Sequence, residues 1–162
     1  MIVIADTSPI INLAAIGQLD LIRRLYGNIW IPDAVYREIV ETGAGEPGSV
    51  EVREFAWIER HVVRSTDLVT ALKLELDAGE AEAIALAIES KPGLLLVDER
   101  RGRLVAVRFN LKVLGLLGVL VEARRSELIP AVTPLLIDLN KVAGFYMTPE
   151  LIGRVQAACG EV

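Results

Sequence analysis

Cysteine occurs once in this chain, at Cys159, and histidine once, at His61. An internal disulfide is excluded, a reducing cytosol is the expected compartment, and a zinc site built on paired Cys and His has no ligands. Aromatic residues make up only 5% of the sequence, which leaves no obvious platform for stacking nucleic-acid bases. Trp30, Trp57, Phe145 and Tyr146 are expected as core or interface anchors, and His61 as a surface or strand-edge residue. No apolar run reaches the roughly 18–20 residues that cross a bilayer. The nearest, Leu111 to Val121, is broken by Lys112 and two glycines. Asp6 falls where a secretory leader would need apolar residues, so neither a leader nor membrane association is expected. Basic charge is also short: the net charge of −5 means that any polyanion must be met by local clusters.

Apolar residues are abundant, at 52% of 162, and the mean hydropathy is +0.44, which excludes a disordered chain. One domain spanning residues 1–162 is expected, with C-terminal helices from about residue 130 as an appendage. Met1–Ala5, Asn28–Ile31, Ile58–Val63, Gly93–Val97 and Lys112–Leu114 read as short buried strands. Between them, Thr7-Ser8-Pro9 reads as a helix start, with a helix continuing to about Tyr26. Pro32 opens another helix, and further helices are expected near Ser49–Phe55, at Asp77–Ser90 and from about Gly102. Helices at Gly118–Arg125, Pro130–Val142 and Pro149–Ala158 complete the chain, and Gly43–Gly48 is a loop. Strands alternating with helices imply an α/β three-layer sandwich around a mostly parallel central sheet.

The carboxyl ends of parallel strands share one edge, where ligands bind. Asp6 and Asp98 each end an apolar strand, so the fold would bring them to one crevice. Glu38 lies at the border of the apolar stripe of its helix, three residues after Val35. In "LDAGEAEAIALAIES", Glu80 shares a face with Ile84, Ala87 and Ile88, whereas Glu82 aligns with Leu86 and Glu89 on a more exposed face. Each acid also has an ordinary structural explanation: Asp77 and Glu80 have the spacing of a capping box, and aspartate favours caps and turns. Several carboxylates in one crevice repel by about 4 kcal/mol per pair at 4 Å and an effective dielectric of 20. Bound cations or raised pKa values relieve that repulsion, and an all-oxygen set suits Mg²⁺ or Mn²⁺. Such an ion assists phosphodiester chemistry.

The segments "VIADTSPIINLA", "IPDAVYREI", "LDAGEAEAIALA", "LLLVDERRGRLVA" and "LKVLGLLGVLVEA", in this order, resemble those of PIN domains, and most of all the small VapC-type toxin ribonucleases. The resemblance implies an RNase-H-like arrangement and a Mg²⁺- or Mn²⁺-dependent endoribonuclease. It implies catalytic roles for Asp6, Glu38, Glu80 and Asp98, metal ligation by these four together with Glu82, and support from Ser8. Arg100, Arg101 and Arg103 would meet substrate phosphates or form a solvated helix start. A small antitoxin and a homodimer are the implied partners, in the cytoplasm, with RNA as substrate. Val97 stands where many VapC-type sequences have Thr or Ser before the final acid. The competing readings are a catalytically weak RNA- or protein-binding module on the same fold, and a phosphatase using Asp6. The phosphatase would need a second acid where Ser8 stands.

Overall fold

A computed structural model describes residues 1–91 and 93–161. Among the described residues, five short strands form one sheet: β1 (Val3–Ala5), β2 (Ile29–Pro32), β3 (Ile58–His61), β4 (Leu94–Leu96) and β5 (Val113–Leu114). Their order is β3-β2-β1-β4-β5 and every pairing is parallel. The chain winds outward from β1 to β2 and β3, then returns past β1 to β4 and β5. The winding therefore reverses between β1 and β4, which is where an open α/β sheet forms its crevice. Ala5 pairs with Leu96, so the residues that follow these two strands leave the sheet at the same edge.

Strands this short hold because both faces are covered. Val3, Ala5, Ile29, Ile31, Leu94 and Leu96 point into one core. There they meet α1 (Thr7–Ala15), α2 (Asp20–Tyr26), α8 (Leu116–Arg125), α9 (Thr133–Lys141) and α10 (Pro149–Ala158). Ile4, Leu95 and Val97 alternate to the other face and pack on α5 (Thr66–Leu72), α6 (Ala78–Ser90) and α7 (Arg100–Arg108). Burying each such Leu, Ile or Val contributes about 1.5–3 kcal/mol. The architecture is an all-parallel sheet between two helical layers, as expected. Leu135, Leu136, Leu139 and Val155 of α9 and α10 belong to the same core as β1. No helix among the described residues is long and apolar enough to cross a membrane.

The local departures have identifiable causes. The single helix expected to Tyr26 is two, because Gly17 takes a left-handed φ of 70° and the Gln18 amide closes back on the Leu13 carbonyl. Helix α5 was not expected, since Thr66–Leu72 is short and largely exposed. It covers the flank of α6, which is why Leu86 is buried and Glu82 half-buried rather than on an exposed face. The helix opened by Pro32 is α3 (Asp33–Tyr36) running into a π-helical turn, Arg37–Thr42, and α4 (Ser49–Glu54) follows the loop. Helix α7 begins at Arg100, two residues before the expected start. Trp57 and Phe145 pack on the first core and Trp30 on the second, but Tyr146 is exposed. His61 ends β3 and stacks on Trp30 at 3.7 Å between ring centres.

Candidate active site

Asp6 follows β1, and its amide donates to the Leu96 carbonyl at 2.9 Å, which fixes its place beside the end of β4. Its side chain is 5% exposed. It occupies the N-cap position of α1 without a side-chain capping bond. The helix therefore starts two residues earlier than the Thr7-Ser8-Pro9 signal, with Pro9 as its first residue, indicates, and the two hydroxyls serve elsewhere. Thr7 Oγ1 donates to Glu38 Oε2 at 3.0 Å, and Ser8 Oγ reaches Asp98 Oδ2 at 3.5 Å. Asn12, one turn along α1, donates from Nδ2 to Ser8 Oγ at 3.1 Å. The first turn of α1 thus ties β1 to an acid on either side.

Glu38 sits in the π-helical turn, whose Gly43 amide closes on the Glu38 carbonyl at 2.9 Å. Such i→i+5 turns are frequent at functional sites because they redirect one side chain. Here the redirected carboxylate faces Gly79 on α6. A Cβ at Gly79 would lie 3.1 Å from Glu38 Oε2 and 3.2 Å from Asp6 Oδ1. Asp6 and Glu38 therefore converge on a surface that only glycine leaves open.

Glu80 forms both halves of the capping box with Asp77, which accepts from the Glu80 amide at 2.8 Å. The capping explanation accounts for Glu80 Oε1 only. Its Oε2 is buried with no hydrogen-bond partner and lies where a Cβ on Gly102 would come within 2.7 Å. Glu82 points elsewhere: its Oε1 accepts from the Ala34 amide at 3.0 Å, at the start of α3. Asp98 is half-buried and accepts from the Leu116 amide at 2.7 Å, at the start of α8. All three arginines of the 100–103 cluster are exposed. Arg101 donates to the Glu75 carbonyl at 3.3 Å, and Arg103 is close enough to Asp98 to lower its pKa.

The electrostatics follow from crowding and burial. Burial pushes Asp6 up to about 8, with the charges of Asp77, Glu80 and Glu38 adding to it and the Thr7 amide lowering it in part. Burial likewise raises Glu80 to about 7, reinforced by the charge of Asp77. Asp98 is also raised by burial, but the Leu116 amide, Arg103 and Ser8 pull it back.

Among the described residues, no three histidine, cysteine or acidic side chains are gathered closely enough to surround one ion. The donor chemistry nonetheless fits a hard divalent cation. Mg²⁺ keeps several waters and takes one or two carboxylates, and Asp6 with Glu38 provides such a pair over bare Gly79. The unpartnered Glu80 Oε2 is a further buried oxygen in want of a positive partner. Sequence reasoning passed over Thr7, Asn12, Gly79 and Gly102. The signal for the first two was the i,i+4 pairing of Ser8 with Asn12 and the doubled hydroxyl after Asp6.

Across residues 2–161 the chain matches the family described as the PIN domain, and it belongs to that family. Its fold is accordingly of the nuclease type, in a family that generally uses divalent metal ions. Comparison with curated proteins and with solved structures returned no match to either.

Proposed function

We propose that the protein is a Mg²⁺- or Mn²⁺-dependent endoribonuclease whose active centre is the carboxylate edge between β1 and β4. One observation carries this reading. Asp6 is 5% exposed, has no capping bond and faces Glu38 across a bare glycine, an arrangement that costs stability and has no structural return. Asp6 and Glu38 would hold the ion, with Glu80 and Asp98 at the same edge and Glu82 engaged by the Ala34 amide. When bound, the ion supplies Lewis acidity, neutralising phosphodiester charge and favouring hydroxide over water.

The chain's own groups do the rest. Thr7 fixes the Glu38 carboxylate. Ser8, itself held by Asn12, orients Asp98, which the Leu116 amide holds from the other side. Glu80, with its pKa near 7, holds or releases a proton at Oε2 at neutral pH. The finer assignment is to the VapC-type toxins. It carries with it a small antitoxin as partner, a homodimer, and action in the cytoplasm.

The test is direct. Purified protein with Mg²⁺ or Mn²⁺ is expected to cleave RNA, and Asp6→Asn and Asp98→Asn each to abolish cleavage. Calorimetry should show Mn²⁺ binding that Asp6→Asn removes. Undiminished cleavage by both variants rejects the site, and the absence of Mn²⁺ binding at millimolar concentration rejects the enzyme in favour of a binding module. A short antitoxin-like reading frame beside this one is the expected genomic neighbour.

A further inference from the structure

Two grooves meet at Glu38, and their chemistry differs. The first, about 370 Å³, is walled by apolar side chains including Ile11, Ala15, Pro47 and Val142. Its charged groups, Glu38 and Glu46, are both acidic, and neither Lys nor Arg lines it. The second, about 430 Å³, passes on the other side of Glu38 over Gly79 and is lined by Arg37 and Lys73. Thr42 borders both as well, so the two grooves adjoin at Glu38 and Thr42.

A nucleic-acid strand separates into the same two chemistries: bases with apolar faces and phosphates with charge. Resting on the ribonuclease reading, we propose that a single-stranded segment of the substrate crosses the protein at Glu38, with one base seated in the apolar groove and adjoining phosphates against Arg37 and Lys73. A base that enters a groove has given up its complement, which selects a single strand over a duplex. The first groove repels phosphate and offers apolar walls. Asn12 borders it, and since its Nδ2 is engaged by Ser8, its carbonyl oxygen is left to meet the edge of the base. Because Ser8 also reaches Asp98, an occupied seat is linked to a strand-end acid through two side chains.

The cations of the second groove are free to serve. Arg37 is tied to Asp33 only at 3.6 Å, with 56% of its side chain exposed. Lys73 makes no ion pair among the described residues. The groove's acids, Glu38, Asp77 and Glu82, still outnumber these two cations by one. A divalent ion on Asp6 and Glu38 cancels the acidic excess once Asp6 is counted with the other three acids, so strand binding itself requires the ion. Neither Arg37 nor Lys73 belongs to the arginine cluster of α7, whose Arg101 is engaged with the Glu75 carbonyl.

The experiment is fluorescence anisotropy with the full chain in Mg²⁺, titrating a labelled, cleavage-resistant 2′-O-methyl strand of about 12 nucleotides and an abasic strand of equal length, over a series of KCl concentrations. The Arg37→Ala/Lys73→Ala double variant is expected to flatten the slope of log affinity against log salt by about 1.4 on both strands, at roughly 0.7 per phosphate contact. Ala15→Leu, which fills the first groove, is expected to weaken the base-bearing strand several-fold and leave the abasic strand unchanged. Asn12→Ala, which removes the polar border, is read beside it should Ala15→Leu fail to fold by circular dichroism. Removing Mg²⁺ with EDTA is expected to release both strands. An unchanged salt slope, equal weakening of the two strands by the groove variants, or binding indifferent to EDTA overturns the path. Cleavage of RNA by a wild-type chain whose variants bind as it does overturns the path alone. Losses of the expected kind in a chain that cuts no RNA support the path and overturn the ribonuclease reading.

Discussion

Two acids follow two neighbouring parallel strands, Asp6 directly after Ala5 and Asp98 one residue further beyond Leu96, the partner of Ala5, and they lead different lives. Asp6, after β1, is buried, has no capping bond and is surrounded by other acids, and its carboxyl is pushed up to about 8. Asp98, after β4, is half-buried and caps α8 through the Leu116 amide, with Ser8 and Arg103 within reach; burial raises its carboxyl, and these three groups oppose the rise. Topology brings both to the same edge of the sheet. What separates them is how each charge is compensated. Asp98 would be explicable in a protein without an active site, because it fastens a helix that begins 18 residues later. Asp6, which fastens no helix through its side chain, has no such account.

The largest test of that difference is catalytic. Asp6→Asn is expected to lower RNA cleavage by 10²-fold or more, the order of effect seen when one electrostatic contributor to a transition state is removed. Steady-state cleavage of a labelled RNA measures it.

A second test is thermodynamic and needs no substrate. The folded pKa of Asp6 is raised above its ordinary value of 3.8, so the native state binds its proton more tightly than the unfolded chain does. Its contribution is fully present below about pH 4 and is lost as pH rises toward 8, with Glu80 acting in the same direction up to about 7. Metal-free protein should therefore lose stability on the order of 1 kcal/mol per pH unit between about pH 6 and 8. Asp6→Asn should flatten that dependence, and Mn²⁺ should raise the melting temperature at pH 8 in the wild type but not in the variant. A melting temperature independent of pH over this range would contradict the assignment of the strained charge to Asp6.

Asp98 sharpens the contrast in the opposite sense. Asp98→Ala is expected to destabilise the fold by about 1 kcal/mol through loss of the Leu116 cap, whereas Asp6→Ala, with no cap to lose, leaves metal-free stability equal or higher at pH 8. Urea unfolding of the two variants side by side decides it.

The smallest effect concerns the hydroxyl between strand and acid. Thr7→Val removes the donor to Glu38 Oε2 and should weaken Mn²⁺ binding by a few-fold to about tenfold, as loss of a group that orients a metal ligand does. Calorimetry that finds affinity unchanged would show that Glu38 needs no such restraint.

Much of this edge was legible beforehand. Strands β1, β2 and β4 stand out because they are buried on both faces and so are nearly continuous in apolar residues, whereas the edge strand β3 carries Glu59 and Arg60. Asp6 and Asp98 interrupt two such runs, which is what made them visible. Helix α5 was not legible: Thr66–Leu72 buries only Leu72, and no short polar segment announces that it will cover a neighbour. Thr7 and Ser8 looked like caps because hydroxyls usually are, and nothing local says that Glu38, 31 residues away, and Asp98, 90 away, will claim them. The helical wheel favoured Glu80 over Glu82 by its face, but it could not show what each carboxylate would meet. The α3 amide of Ala34 takes Glu82, and the approach of Gly102 leaves Glu80 Oε2 buried and unpartnered.

By itself the amino-acid sequence determined the layers, the parallel sheet and the edge at which acids collect, because burial periodicity and strand-end placement are written residue by residue. Only the tertiary structure decided which carboxylates are compensated and which are not. Compensation depends on amides, hydroxyls and bare glycines brought in from distant parts of the chain, and a charge's cost is set by those neighbours rather than by its own identity.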